Sequence, residues 1–362
     1  MDEQIFAVQE YGGISRMFAQ LAEQFISQQE LEVALEALNA PVINHYILND
    51  PLLRQWLAVR PARSHIEALA YYFLHRRRRG PVDVVHGSFY LPRGLVDHPG
   101  VPKVMTVHDM IPELLPQTRR RLDFLTLKRR YVEKVDHIIC VSEWTKADLI
   151  RIFGPIDTPI TVVHHGVDSI FRPGSAPLPG FPDRYLLHVG NRSSYKDGET
   201  LLRAFAHIHQ DVPDLRLVLV GGGSPGKAER SLLGELGIEL KVTQTSLAEA
   251  DMPSAYANAV ACIFPSRYEG FGLPALEAMA SGTPLILSRS SSLPEIGGDA
   301  ARYFTPGDAI DLANQVMNLM EDRSLTDLLV DRGLSRAATF TWRRAAEETV
   351  AVYERAINDY HR

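Results

Sequence analysis

Short apolar runs, each bounded by turn-forming residues, recur along the chain. In the first half they are Val82–His86, Lys103–Val107, His137–Val141 and Ile160–Val163. In the second half they are Tyr185–Val189, Arg216–Val220, Leu240–Gln244, Val260–Phe264 and Pro284–Ser288. Runs this short, dense in Val, Ile and Leu, read as strands buried on both faces of a parallel sheet. Ile5–Val8 and Leu31–Leu35 are further candidate strands, the first unusually short. Between the strands, apolar positions recur at helical spacing: Met17, Phe18, Leu21, Ala22 and Phe25; then residues 59–79; then Leu201, Leu202, Ala204 and Phe205; then Leu276, Met279 and Ala280. Helical patterns also cover 309–321, 325–338 and the amphipathic run that ends at Tyr360. Strands alternating with helices through both halves predict an α/β protein with parallel sheets.

A length of 362 residues favours two domains over one. Residues 169–184 hold Pro173, Gly174, Pro177, Pro179, Gly180 and Pro182, a density that marks an interdomain linker. The divisions expected are an N-terminal domain over 1–172, a linker over 173–184, a C-terminal domain over 185–340 and a terminal helix over 341–362. No internal repeat or low-complexity segment interrupts this pattern.

In open α/β sheets, ligands collect at the carboxyl ends of strands. His86 and the pair His108-Asp109 stand at such ends. Ser142 follows another strand and is suited to cap the next helix. Gly12 and Gly13 precede the first long helix and let backbone approach a diphosphate or an acceptor. Arg192 and Lys196 lie between a strand and a helix start, where a guanidinium, an ammonium and the helix dipole together suit a diphosphate. Gly221, Gly222 and Gly223 close the following strand, without the spacing of a nicotinamide-binding turn. Most specific is Ser266-Arg267-Tyr268-Glu269-Gly270-Phe271-Gly272-Leu273-Pro274-Ala275-Leu276-Glu277. It places two carboxylates, Glu269 and Glu277, on either side of a strand-to-helix turn.

That segment resembles the donor-binding signature of the family-4 retaining glycosyltransferases of GT-B fold. Tyr11–Arg16, Thr106–Asp109 and His164–Asp168 resemble other motifs of the same family. The resemblance covers nearly the whole chain and is strongest over 185–307. It implies two Rossmann-like domains facing across a cleft, with the C-terminal helix crossing back to the N-domain. It also implies transfer of a hexose from a nucleotide-diphosphate sugar, UDP-linked or GDP-mannose, to a hydroxyl of a glycan or lipid-linked acceptor. The implied setting is surface polysaccharide synthesis. In those roles Glu269 faces the sugar, Glu277 holds the ribose hydroxyls and His108 approaches the donor sugar. Gly270, Phe271, Gly272 and Leu273 lend backbone to the donor, and Arg192 and Lys196 carry the diphosphate. Arg192 stands about one residue from the family's usual position. No cofactor and no metal are expected, since the cations substitute for a divalent ion and no Asp-x-Asp sequence is present. A non-hydrolysing sugar-nucleotide epimerase and a catalytically silent GT-B binding subunit remain the alternatives.

Composition adds bounds. The formal charge of -6 gives no support to a nucleic-acid partner, and the acidic excess falls after Pro173. Cys140 and Cys262 each sit inside an apolar run, so both read as buried small hydrophobes in a reducing compartment. No apolar run approaches a membrane span and no signal peptide is visible, so the protein is expected in the cytoplasm. Arg76–Arg79, Arg119–Arg121 and Lys128–Arg130, the latter two interleaved with Leu122, Phe124, Leu125 and Leu127, are candidates for peripheral contact with an anionic membrane.

Overall fold

The computed structural model describes the chain except for residues 3, 36–37, 75–80, 91–97, 116–123 and 193. It divides into two compact units. The first is Met1–Gly166 together with Trp342–Arg362; the second is Val167–Thr341.

The first unit opens with helices α1 (Gln4–Val8) and α2 (Gly13–Ser27). A small parallel pair, β1 (Pro41–Val42) and β2 (Arg60–Pro61), encloses α3 (His45–Asn49) and α4 (Pro51–Trp56). Helix α5 (His65–Leu74) comes next. There follow β3 (Val85–Gly87), β4 (Lys103–Val107), α6 (Ile111–Leu114), α7 (Phe124–Val132), β5 (His137–Cys140), α8 (Glu143–Phe153) and β6 (Ile160–Val162). The four strands are parallel and lie in chain order, β3-β4-β5-β6. Ser142 caps α8 as its position suggests: its Oγ accepts from Thr145 N at 3.0 Å, worth about 1 kcal/mol.

Three expectations fail here for identifiable reasons. Ile5–Val8 is not a strand but most of α1. The buried Asp2 carboxylate accepts from the amides of Gln4 and Ser88, while Ser88 Oγ takes the Ile5 amide at 3.2 Å. Those bonds start a helical turn and remove the amide a ladder would need. Leu31–Leu35 forms no strand: a 3-10 turn over Gln29–Leu31 runs into Glu32 at φ 52. The alternation of that run marks half-buried positions, yet among the described residues no strand pairs with it. The helix expected over 59–79 begins only at His65, because Arg60 and Pro61 pair in β2 and a residue before proline disfavours helix. Arg76–Arg79, expected at its end, lies outside the described residues.

The second unit contains β7 (Tyr185–Val189), α9 (Gly198–Asp211), β8 (Arg216–Val220), α10 (Lys227–Leu236), β9 (Val242–Thr245) and α11 (Met252–Ala257). It continues with β10 (Ala261–Phe264), α12 (Leu273–Ala280), β11 (Leu285–Ser288), α13 (Leu293–Gly297), β12 (Ala301–Phe304), α14 (Ala309–Glu321) and α15 (Arg323–Ala337). All six strands are parallel, in the order β12-β11-β10-β7-β8-β9. Leu186, Leu217, Leu219, Ile263 and Ile286 project from the sheet onto Phe205 of α9 and Val316 of α14. Each side chain of this size, buried fully, contributes about 1.5–3 kcal/mol. Asp308 and Asp322 cap α14 and α15, each accepting from backbone amides of the first turn. Cys140 and Cys262 are free and buried, one in each sheet.

The terminal helix α16 (Trp342–Tyr360) belongs to the first unit, not to the sheet that precedes it. Its Tyr353 hydroxyl bonds His86 Nδ1 at 2.7 Å, and Arg343 pairs with Glu30 after α2 at 3.0 Å. The chain therefore leaves the first unit at Gly166 and returns to it at Trp342.

Candidate functional site

The order of the second sheet dictates where a ligand sits. From β7 the chain passes outward through β8 and β9, then returns to place β10 on the other flank of β7. Such a reversal opens a crevice between the carboxyl ends of the two strands, here β7 and β10. The loop after β7 carries Lys196 at the end of a 3-10 turn over Ser194–Lys196. The loop after β10 carries Glu269. The two side chains meet: Lys196 Nζ donates to both carboxylate oxygens of Glu269, at 2.7 and 2.8 Å.

The surrounding bonds fix both loops. Arg267 N donates to Tyr195 O at 2.7 Å, and Arg267 Nε to Asp197 Oδ2 at 2.9 Å, so the two loops are tied to each other. Ser291 Oγ accepts from Glu269 N at 2.7 Å. Ser292 Oγ, fully buried, donates to the carbonyls of Glu269 and Phe271 at 3.0 and 2.8 Å. Gly272, at φ 110, precedes α12, and Leu273 opens the helix with Pro274 behind it. That backbone angle is one side chains rarely adopt, so the residue is glycine for conformational reasons. Gly270 and Phe271 are buried in the same turn, Phe271 with its ring edge against Phe340.

Glu277 lies one turn into α12 and is 5% exposed. Its Oε2 accepts from the hydroxyl of Tyr256 on α11 at 2.8 Å. Tyr256 has no exposed surface, and Thr283 Oγ1 donates to its carbonyl at 2.7 Å. The sequence reading missed Tyr256, Ser291 and Ser292 as site residues. An isolated tyrosine in an apolar stretch carries no signal of the carboxylate it serves, and a serine run after a strand signals only a turn.

Arg192, expected to carry the diphosphate with Lys196, has its guanidinium fully engaged by protein groups. Its Nε bonds Glu229 of α10 at 2.6 Å, its Nη1 the Gly221 carbonyl at 2.6 Å and its Nη2 the Gly223 carbonyl at 2.9 Å. The guanidinium thus braces the glycine turn after β8. A Cβ on Gly222 would stand 2.6 Å from Nη1, and φ there is 73, so this turn accepts only glycine.

In the first unit, His108 follows β4. Its ring is buried with Phe18 edge-on at 5.9 Å, and its Nε2 has no hydrogen-bond partner among the described residues. Burial above all holds it well below the usual histidine range, so the imidazole is neutral. Gly12 precedes α2 and Gly13 is its first residue. Gly12 O accepts from Arg16 N and Ser15 Oγ, and the Gln9 carboxamide fills the space a Cβ at Gly12 would take.

Known proteins then decide the family. Residues 180–336 match the profile of the glycosyl transferases group 1, and residues 11–170 that of glycosyltransferase family 4. An MMP alpha-(1->4)-mannosyltransferase of Mycolicibacterium hassiacum is 33% identical over 329 residues, covering 85% of this chain and 79% of that protein. The chain belongs to glycosyltransferase family 4. An O-antigen chain mannosyltransferase B of Escherichia coli is another relative, 30% identical over 313 residues and 79% of each chain. Among solved structures, sucrose-phosphate synthase from Thermosynechococcus elongatus aligns with TM-score 0.67 and 25% identity over 81% of this chain and 77% of that one. HepE from Anabaena, in complex with UDP and glucose, aligns with TM-score 0.71 and 20% identity over 95% and 96%, a likeness of fold. The fold is GT-B and the protein is a glycosyltransferase that draws on a nucleotide sugar.

One cation of the expected membrane patch is taken out of it. Lys128 is buried, with Nζ 2.9 Å from both Glu113 Oε2 and the Asp109 carbonyl. A cation so enclosed reaches no lipid, and breaking the pair would cost about 3–5 kcal/mol. Arg129 pairs with Glu133 at 3.2 Å and lies over the Phe153 ring. Arg119–Arg121 lies outside the described residues. No described helix is long and apolar enough to cross a membrane.

Proposed function

We propose that this glycosyltransferase moves a hexose from a nucleoside diphosphate sugar to a hydroxyl of a glycan or lipid-linked acceptor, keeps the anomeric configuration and needs no metal ion. The observation that carries the proposal is the ammonium of Lys196 held by both oxygens of Glu269 at the crevice between β7 and β10. Breaking the bond from C1 to the diphosphate leaves negative charge on the departing group. Lys196 and the start of α12 receive that charge, as fixed positive ends that need no reorganisation during the reaction. The glycine turn braced by Arg192 supplies the wall of the diphosphate site. Glu269 accepts from a sugar hydroxyl and Glu277, oriented by Tyr256, from the ribose. The acceptor oxygen forms its bond to C1 on the face the diphosphate leaves, and its proton passes to a departing phosphate oxygen.

Two relatives named as mannosyltransferases favour mannose as the first sugar to test, in the synthesis of a surface polysaccharide. GDP-mannose and UDP-glucose, each with p-nitrophenyl α-mannoside and with EDTA present, make the direct test. The α configuration of the donor should persist in the product by proton NMR, at a rate EDTA does not change. A β product, or activity abolished by EDTA and restored by magnesium or manganese, would contradict the proposal.

A further inference from the structure

The first unit carries an exposed aromatic stack that no role above uses. Tyr11 is 59% exposed, although it stands immediately before the glycine pair. Its ring lies flat on His45, with centroids 4.2 Å apart and planes 5° from parallel, and Tyr46 meets it edge-on at 5.9 Å. A single exposed tyrosine is ordinary. One clamped in place between two further rings is not, because a solvated side chain gains little from being fixed.

The mounting is rigid. The fully buried Asn44 donates from Nδ2 to the carbonyls of Gln9 at 2.8 Å and Glu10 at 3.2 Å. His45 N donates to the Glu10 carbonyl at 3.1 Å, so the segment before Tyr11 is stitched to the start of α3. On the other side, Gln9 Oε1 accepts from Ser15 N at 3.0 Å, locking the same segment to α2. Next to Tyr11 in the chain stands Glu10, whose half-exposed carboxylate approaches half-exposed His65 Nε2 to 3.6 Å.

We propose that Tyr11, His45 and Tyr46 form the platform on which a pyranose ring of the acceptor stacks, with Glu10 and His65 at its hydroxyl rim. The proposal rests on the transferase reading above and names the chemical class of its acceptor. A pyranose presents a face of axial C–H groups that packs on an aromatic ring and an edge of hydroxyls that bonds carboxylate and imidazole, and this stack offers both. Because the ring is ordered beforehand, binding loses little side-chain freedom. A lipid tail or an apolar peptide would find the apolar face but no use for the polar rim.

The test uses the full chain and its Tyr11→Ala and Tyr11→Phe variants, with melting temperatures to confirm folding. Methyl α-mannopyranoside, methyl α-glucopyranoside and α-1,4-linked glucobiose are titrated by saturation-transfer NMR, and UDP and GDP by calorimetry. Wild type should bind at least one glycoside. Tyr11→Ala should weaken that binding about five- to tenfold, and Tyr11→Phe, which keeps the ring face, should restore it to within about twofold. Nucleotide affinity should be the same in all three proteins. Equal glycoside affinity in wild type and Tyr11→Ala, or no glycoside bound by wild type, overturns the platform. Failure of both nucleotides to bind any of the proteins counts against the transferase mechanism instead, and the glycoside titrations still decide the platform.

Discussion

At the scale of single residues, the site is a set of charged groups each held by a partner that fixes its direction. Lys196 and Glu269 hold one another, and Tyr256 holds Glu277. The last pair is the most exposed to test, because the tyrosine reaches the carboxylate from inside the core. Tyr256→Phe keeps the ring and removes one hydrogen bond to a charged group, a loss of about 1.5–3 kcal/mol when the group is buried. If Glu277 receives the ribose, the variant should bind UDP and GDP roughly tenfold or more weakly, while the 2′,3′-dideoxy nucleotides bind it and wild type alike. A uniform loss across both kinds of nucleotide would show that Tyr256 only supports the fold. Equal binding everywhere would remove Glu277 from the ribose.

At the scale of elements, the first sheet is joined to the terminal helix by neutral histidines. His86 on β3 bonds Thr106 of β4 through Nε2 at 2.8 Å and Tyr353 of α16 through Nδ1 at 2.7 Å. Burial, with a smaller effect of the chain's amino terminus, depresses it to about 3. His165, with its ring 5.8 Å from Trp342, is also depressed to about 3, by burial and then by His164. The unfolded chain takes up protons at these residues below about pH 6.5, whereas the folded chain does so only near pH 3. Their contribution is thus complete above pH 6.5 and is lost as the pH falls towards 3, at about 1.4 kcal/mol per pH unit for each histidine. Urea midpoints should fall between pH 6.5 and 4.5, with the amides of α16 losing hydrogen-exchange protection early. His86→Gln should flatten that fall, and an unchanged slope would refute the assignment. These same elements show where sequence was and was not enough. β4, β5 and β7 were legible because a run such as Val104–Val107 has no other favourable state than a buried strand. Ile5–Val8 was not, because the bonds from Asp2 and Ser88 that make it helical come from residues 86 positions apart in the chain.

At the scale of the whole molecule, the order of a sheet decides where a charge stands. Strand alternation predicted two α/β units, but only the observed order, with β7 between β8 and β10, shows that the loops bearing Lys196 and Glu269 are neighbours. The donor signature at Glu269–Glu277 was readable as a motif. The redirection of Arg192 to Glu229 and the glycine turn was not, since it depends on where α10 places its first acidic residue. The central claim is that a fixed cation in the second unit receives the departing diphosphate. Single-turnover rates of Lys196→Ala with saturating donor, set beside its nucleotide affinity, test this most directly. The chemical step should slow about 10²–10³-fold while nucleotide binding weakens far less. A rate within about threefold of wild type, with binding intact, would contradict it.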